Sequence, residues 1–157
     1  MINCEFENGK KASLRHVTVK ALTVNDKREV LLTKRAEHLL GGGKYDIPGG
    51  FMDRGEDTRV CALRELFEET GIKGEIEFLL RINDSPKRPK EDRQNVDFIY
   101  IVKAVGGELK TDHESVEVAW FSEDDLPSEE EFAFDHRNSI LKYFQYLKEP
   151  FELPIIG

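Results

Sequence analysis

Apolar and polar positions alternate in short runs along most of this chain, and the spacing changes to that of a helix in two places. From His16 to Thr23 the residues Val17, Val19 and Ala21 share one face, which predicts a strand. Asn25-Asp26-Lys27 turns the chain, and Val30, Leu31 and Leu32 lead a second strand that ends at Lys34-Arg35. Glu75 to Ile82, Val96 to Val105 and Val116 to Phe121 read as further strands, and the middle run is apolar and β-branched enough to be central. Near the start, the runs from Ile2 to Phe6 and from Lys11 to Leu14 flank Asn8-Gly9. This predicts a hairpin within residues 1–15 closed by a type I′ turn.

The first helical pattern lies between Asp57, a residue suited to an N-cap, and Gly71, suited to a left-handed C-cap. Val60, Leu63, Phe67 and, to one side, Leu66 form its apolar stripe. The second runs over 135–148, with Asp135 as its N-cap and Ile140, Leu141, Phe144 and Leu147 on one face. Pro150 and Pro154 end regular structure after it. Gly41-Gly42-Gly43 reads as a loop that lacks the Gly-Lys-Ser/Thr of a P-loop. Asn83 to Asn95 holds two prolines and many charges, so it cannot be a core element.

The first helix carries an electrostatic conflict. Glu65, Glu68 and Glu69 stand at i, i+3 and i+4 and share a face, where like charges repel by a few tenths of a kcal/mol per pair. Glu68 and Glu69 also lie near the C-terminus, where the helix dipole disfavours negative charge. A helix chosen only for stability would avoid this. A divalent cation resolves it, and hard oxygen ligands suit Mg²⁺ or, as the alternative, Mn²⁺.

Composition narrows the function without naming it. The chain has 157 residues, 23 basic and 31 acidic, for a net charge of −8. That balance argues against general binding of nucleic acid or of an anionic membrane, both of which need a basic surface. Cys4 and Cys61 are far apart and form no metal-ligand pattern. Cys61 sits among apolar neighbours as a small hydrophobe. No run is long and apolar enough for a membrane span and the polar start is unlike a signal peptide, so the cytoplasm is the expected location. Against the acidic whole, the loop with Lys87, Arg88, Lys90 and Arg93 is locally basic. Its two readings are a solvated loop and a surface that meets phosphates or a terminal ribose. His113 and His136 have no partner pattern and read as surface or packing residues.

The stretch GGFMDRGEDTRVCALRELFEETGI resembles the signature of the Nudix hydrolases. Gly50, Glu56, Arg64, Glu65, Leu66, Glu68, Glu69, Gly71 and Ile72 fill every fixed position in register. The resemblance extends to Tyr45-Asp46-Ile47-Pro48-Gly49-Gly50, which is similar to the strand that leads into the signature, and to the closing run Val118-Ala119-Trp120-Phe121. It implies an α/β fold, a mixed β-sheet in an α/β/α sandwich with the N-terminal hairpin added, as a single domain over 1–157 with the signature at 49–72. It implies Mg²⁺-dependent hydrolysis of a pyrophosphate bond in a nucleoside diphosphate linked to another group.

Position by position, the resemblance makes Glu65, Glu68, Glu69 and the Gly49 carbonyl metal ligands. Arg64 and Glu56 become residues that orient the glutamates. The general base is Glu65, or a loop glutamate before the closing strand, for which Glu114 is the candidate and Glu117 its neighbour. Arg35 matches an arginine that often ends the second core strand. Arg88 and Arg93 are similar in place to a loop of Nudix proteins that act on ADP-ribose, which makes ADP-ribose the leading substrate. A house-cleaning hydrolase of modified nucleoside triphosphates is the alternative, and a nucleotide-sensing module without catalysis is the competing class. Family resemblance leaves a homodimer open.

Overall fold

In the computed structural model, which describes residues 2–88 and 94–157, the chain order begins β1 (Ile2–Glu5), β2 (Lys11–Leu14), β3 (Val17–Val24), β4 (Val30–Arg35) and β5 (Tyr45–Asp46). It continues α1 (Thr58–Thr70), β6 (Ile72–Asn83), β7 (Val96–Gly107), β8 (Ser115–Phe121), a 3₁₀ turn (Glu129–Glu131), α2 (His136–Lys148) and β9 (Ile155–Ile156). The main sheet has the order β5-β4-β3-β7-β6-β9, with β8 paired to β4. It is mixed: β3 and β7 run parallel while β6 and β7 run antiparallel.

Alternation along β3 and β7 divides the core into two layers. Val19, Ala21, Tyr100 and Val102 pack toward Cys61, Ala62 and Leu66 of α1. Leu22, Val24, Ile99 and Ile101 pack toward Ile140, Tyr143 and Phe144 of α2. Each fully buried large side chain here contributes about 1.5–3 kcal/mol. The result is the α/β/α sandwich that the family resemblance implied. No helix among the described residues is long and apolar enough to cross a membrane.

One irregularity of the sheet creates the site. Strands β3 and β4 are joined only at their hairpin end, Val24 opposite Val30, and then diverge. The chain from Asp46 to Met52 enters the gap. The amides of Val19 and Ala21 donate to the carbonyls of Gly50 and Pro48, and the Met52 amide donates to Val17. At Gly49 the backbone lies so close to β3 that a Cβ would stand 2.0 Å from the Val19 carbonyl, at a φ of +145°. The segment therefore requires glycine, and it leads the chain directly to α1.

Three local expectations need correction. The β1–β2 hairpin forms in the expected place, with Ile2 opposite Leu14 and Glu5 opposite Lys11. Its turn is not type I′, because only Gly9 is left-handed and the Gly9 amide returns to Phe6 while that of Phe6 reaches Lys10. Those bonds describe a three-residue loop with a glycine bulge. On α1, Val60 and Phe67 are 53% and 45% exposed, while Cys61, Ala62, Leu66 and Thr70 are buried. Small side chains allow the helix to approach the sheet closely, so they mark its inner face better than the large ones do. Asp135 precedes α2 as expected but makes no capping hydrogen bond, since its carboxylate is engaged elsewhere.

Candidate active site

Helix α1 is held at both ends by its own residues. Asp57 accepts from the amides of Arg59 and Val60, and Gly71 closes the helix in a left-handed conformation. Between these ends, Glu65 and Glu69 face a cavity of about 410 Å³ that opens where β3 and β4 diverge. Gly50 leaves room for this, because a Cβ there would stand 2.6 Å from a Glu65 carboxylate oxygen. The Gly49 amide donates to Glu69 over 3.2 Å. Glu68 stays at the exposed rim.

Arg64 organises this wall. It donates to Glu56 at 2.7 Å, to Glu65 at 2.9 Å and to Glu68 at 3.0 Å, and it reaches the Phe51 carbonyl at 3.3 Å. The Arg64 hydrogen bond, with help from the Asp53 amide, holds Glu56 down at about 2. Burial pushes Glu65 up, and pushes Glu69 up to about 8, with Asp46 and Glu65 adding to the rise and Lys20 opposing it. Cys61 is inert, its thiol pushed up to about 12 by burial.

The opposite side of the cavity is a network of buried charge that the sequence reading missed. Asp46, on β5, accepts from the Ile47 amide at 2.7 Å, from Lys20 at 3.1 Å and from Arg35 at 2.9 Å, and also bonds His136 Nδ1. The Lys20 ammonium also donates to the carbonyls of Ile47 at 3.0 Å and Gly49 at 3.2 Å, which ties the network to the glycine segment. His136 Nε2 lies 3.4 Å from Asp97, whose other oxygen takes the Thr18 hydroxyl. Burial opposes every charge here. For Asp46, the cations Lys20, His136 and Arg35 overcome it and hold the carboxyl far below its usual range. His136 and Arg88 do the same for Asp97. Burial likewise works against the His136 imidazolium, yet Asp46 and Asp97 outweigh it and raise its pKa.

Arg88, read from the sequence as a cation of an exposed loop, is instead buried. Its guanidinium lies 2.5 Å from Asp97 and 2.6 Å from Asp135, with His136 Nε2 at 3.1 Å. It lines the cavity as part of the floor, not as a free arm. Arg93, and the rest of the basic loop from 89 to 93, lies outside the described residues. Arg35 lines the cavity with its guanidinium fixed between Asp46 and the Leu40 carbonyl at 2.9 Å. Glu114 also lines it, on a turn whose backbone is pinned by the Ala36 amide, whereas Glu117 is taken up by the Tyr45 hydroxyl at 3.3 Å. His136 is thus neither surface nor mere packing. The signals that could have found the network are Lys20 within His16–Thr23 and Asp97 within Val96–Val105, charges in runs otherwise patterned for burial.

As they stand, no three His, Cys, Asp or Glu side chains among the described residues are gathered closely enough to hold a metal ion. The chemistry of the wall nevertheless fits a divalent cation. Among the described residues Glu69 is a set-back carboxylate with one backbone donor, the Gly49 amide, and burial raises its proton affinity, so a cation beside it would be favoured. Glu65 and the Gly49 carbonyl add hard oxygen donors beside it.

Comparison with known proteins agrees with this geometry. Residues 14–143 match the NUDIX domain. An ADP-ribose pyrophosphatase of Methanocaldococcus jannaschii is 32% identical over 118 residues, covering 75% of this chain and 67% of that protein. The 8-oxo-dGDP phosphatase NUDT18 of Homo sapiens is 33% identical over 114 residues, covering 70% of this chain but only 33% of that protein. Among solved structures, a NUDIX hydrolase from Nitrosomonas europaea superposes with a TM-score of 0.79 at 23% identity, covering 99% of this chain and 92% of the other. An ADP-ribose pyrophosphatase from Streptococcus suis superposes with 0.74 at 19%, covering 92% and 100%. At those identities the two structures speak for the fold alone, and with the sequence matches they place this chain in the Nudix family of hydrolases, which act on phosphoric anhydrides.

Proposed function

We propose that the protein hydrolyses the pyrophosphate bond of a nucleoside diphosphate linked to another moiety, with an ADP-ribose-like substrate favoured and Mg²⁺, or Mn²⁺, as cofactor. The observation that carries this reading is the cavity's two-sided charge. A carboxylate wall, Glu65 and Glu69, faces a floor that brings Lys20, Arg35, Arg88 and His136 against Asp46, Asp97 and Asp135. A diphosphate in such a cavity would turn oxygens to the cations of the floor, and a metal ion would be needed between it and the glutamates.

Glu65, Glu69 and the Gly49 carbonyl would hold the metal, with Glu68 at the rim as an additional ligand. A divalent cation held there would supply neutralisation of the diphosphate charge and acidify the attacking water. Arg64 orients Glu65 and Glu68. Lys20 fixes the Gly49 carbonyl. A glutamate, Glu65 or Glu114, accepts the proton of the attacking water, a role worth about 10²–10⁴-fold in rate. Arg35 presents a fixed guanidinium to the substrate. The Methanocaldococcus relative supports the ADP-ribose reading, and the human 8-oxo-dGDP phosphatase gives the house-cleaning reading its own support.

Product analysis tests this. The purified protein is incubated with Mg²⁺ and then Mn²⁺ on ADP-ribose, NADH, a diadenosine polyphosphate, a sugar nucleotide and common and oxidised nucleoside di- and triphosphates. AMP with ribose 5-phosphate from ADP-ribose is the expected result. Turnover of oxidised nucleotides alone assigns the house-cleaning role, and turnover of nothing with either metal overturns catalysis.

A further inference from the structure

Arg15, in the short link between β2 and β3, is exposed and does not line the cavity. Its guanidinium nevertheless reaches three backbone carbonyls. Nε donates to Gln94, and Nη2 donates to Asp84 at 2.7 Å and to Asn95 at 3.2 Å. These carbonyls belong to both limbs of the segment that joins β6 to β7. Asp84 opens the outgoing limb, and Gln94 and Asn95 close the returning one. The backbone beside Arg15 is fixed to the returning limb as well. The Val96 amide donates to the His16 carbonyl at 2.8 Å, and Val17 stands opposite Val96 in the parallel ladder.

Carbonyl oxygens gathered around one point each need a donor. A guanidinium supplies five N–H groups in a rigid planar fork together with a positive charge, whereas a lysine ammonium is a compact point charge on a flexible stem. Gln94 adds a second sign that the returning limb is held from outside. It lies in the left-handed region at a φ of +52°, uncommon for a residue with a Cβ, and such backbone persists where the surroundings impose it. Its carbonyl is the one that Arg15 Nε takes.

The same two limbs build one side of the cavity. The outgoing limb carries Arg88, and the returning limb carries Asn95 and leads to Asp97. All three line the cavity. Arg88 then crosses to Asp97 at 2.5 Å. The limbs are thus tied twice, at the surface through their backbones and at the floor through their side chains. The outer tie sets the spacing across which the inner one reaches.

We infer that Arg15 is a positioning residue for the cavity, an external clamp that places Arg88 and Asn95 against the substrate. This rests on the nucleotide reading above, and extends the working parts of the site to a side chain outside it.

The test compares wild type with R15A, R15K and K11A. The last removes the same charge from an exposed position on the same hairpin. Calorimetry in Mg²⁺ gives affinities for the uncleavable α,β-methylene ADP, and kinetics give KM and kcat for ADP-ribose. A misplacement of about 1 Å from a remote change costs up to about 10²-fold, so R15A should weaken the analogue and raise KM by about tenfold or more. Its kcat should change less, because Glu65 and Glu69 have their own support on α1. R15K keeps the charge without the fork and should recover little. Millimolar N-ethylguanidinium should restore most of the affinity of R15A. K11A should match wild type. A loss of melting temperature alone in R15A, a loss in kcat alone, or no rescue by the guanidinium overturns the inference. So does R15K at wild-type affinity or K11A as weak as R15A, since either would make the effect one of charge alone. The two readings fail separately. Turnover of ADP-ribose with R15A unaffected removes the clamp and leaves the enzyme. Analogue binding that R15A weakens and the guanidinium restores, without turnover of any pyrophosphate, removes the enzyme and leaves the clamp. A wild type that neither binds the analogue nor turns over any substrate overturns both.

Discussion

The two sides of the cavity are built by opposite means. The glutamate wall belongs to one helix and the loop before it, and Arg64 ties Glu56, Glu65 and Glu68 together within a single short stretch. The floor draws Lys20 from β3, Arg35 from β4, Asp46 from β5, Asp97 from β7 and His136 from α2. The wall can change a charge without disturbing the sheet. The floor cannot, because each of its members is the counter-ion of another. A buried charge stripped of its partner costs far more than an exposed one, so the wall should hold chemistry at little cost to the fold while the floor couples the two.

The largest effect should come from the wall. E65Q and E69Q each keep side-chain size and remove a carboxyl that could ionise against a cation. Activity should fall by about 10²–10⁴-fold, on the scale of losing a positioned base or its equivalent. Mn²⁺ binding, followed by electron paramagnetic resonance, should weaken in parallel. The melting temperature of the metal-free protein should not fall, since burial disfavours the charged form of both carboxyls. Surviving activity and metal binding in E69Q would place the metal elsewhere.

The floor should give the reverse. Asp46 is the shared acceptor of Lys20, Arg35 and His136. D46N leaves those cations underpartnered, and the expected loss is about 3–5 kcal/mol in urea unfolding. Activity falls with it, since Lys20 also fixes the Gly49 carbonyl. A D46N protein as stable as wild type would show the network to be slack and the contrast between the two sides to be wrong.

This contrast also explains what could be read from the sequence. The wall was legible because helical spacing alone brings Glu65 and Glu69 together and a fixed register surrounds them. The separate strands and the two helices were legible because each carries its own period, and the mixed sheet with a helix on each face came from the family resemblance. The floor was not. Asp46 and His136 meet across 90 residues of chain, and nothing in their local sequences marks them as partners. Arg88 misled for a physical reason. Its segment is polar and proline-rich, yet the loop folds its guanidinium inward to Asp97 and Asp135. The α1 stripe misled because Val60 and Phe67 look like core residues, whereas the close approach to the sheet needs Ala62 and Cys61.

A smaller effect follows from His136 and depends on pH. Its pKa is raised in the fold, so its contribution is fully present below its ordinary value near 6.5 and is lost as pH rises through the folded value. Asp46 and Asp97 are lowered, so their contribution is present above the ordinary carboxylate range and is lost as pH falls through the folded values. Stability from the network should therefore peak between these limits. H136Q gives up hydrogen bonds between charged groups, worth about 1.5–3 kcal/mol in such settings. In urea titrations it should be about 2 kcal/mol less stable than wild type at pH 6, and the gap should narrow as pH rises. A constant gap would mean that His136 is neutral in the fold and serves only to fill space.

The smallest effect separates the wall's anchoring from its chemistry. Asp57 caps α1 by accepting from the amides of Arg59 and Val60 at 2.8 and 3.0 Å, and it does not line the cavity. D57A should lower the melting temperature by a small amount, through loss of the N-cap. The inner face of α1 stays packed through Cys61, Ala62 and Leu66, so Glu65 and Glu69 keep their places and kcat should hold within about twofold. A far larger loss of activity in D57A, with the melting temperature little changed, would mean that the first turn of α1 positions the glutamates. The wall would then depend on its loop as tightly as the floor depends on its ion pairs, and the division between the two sides would reduce to a difference in burial.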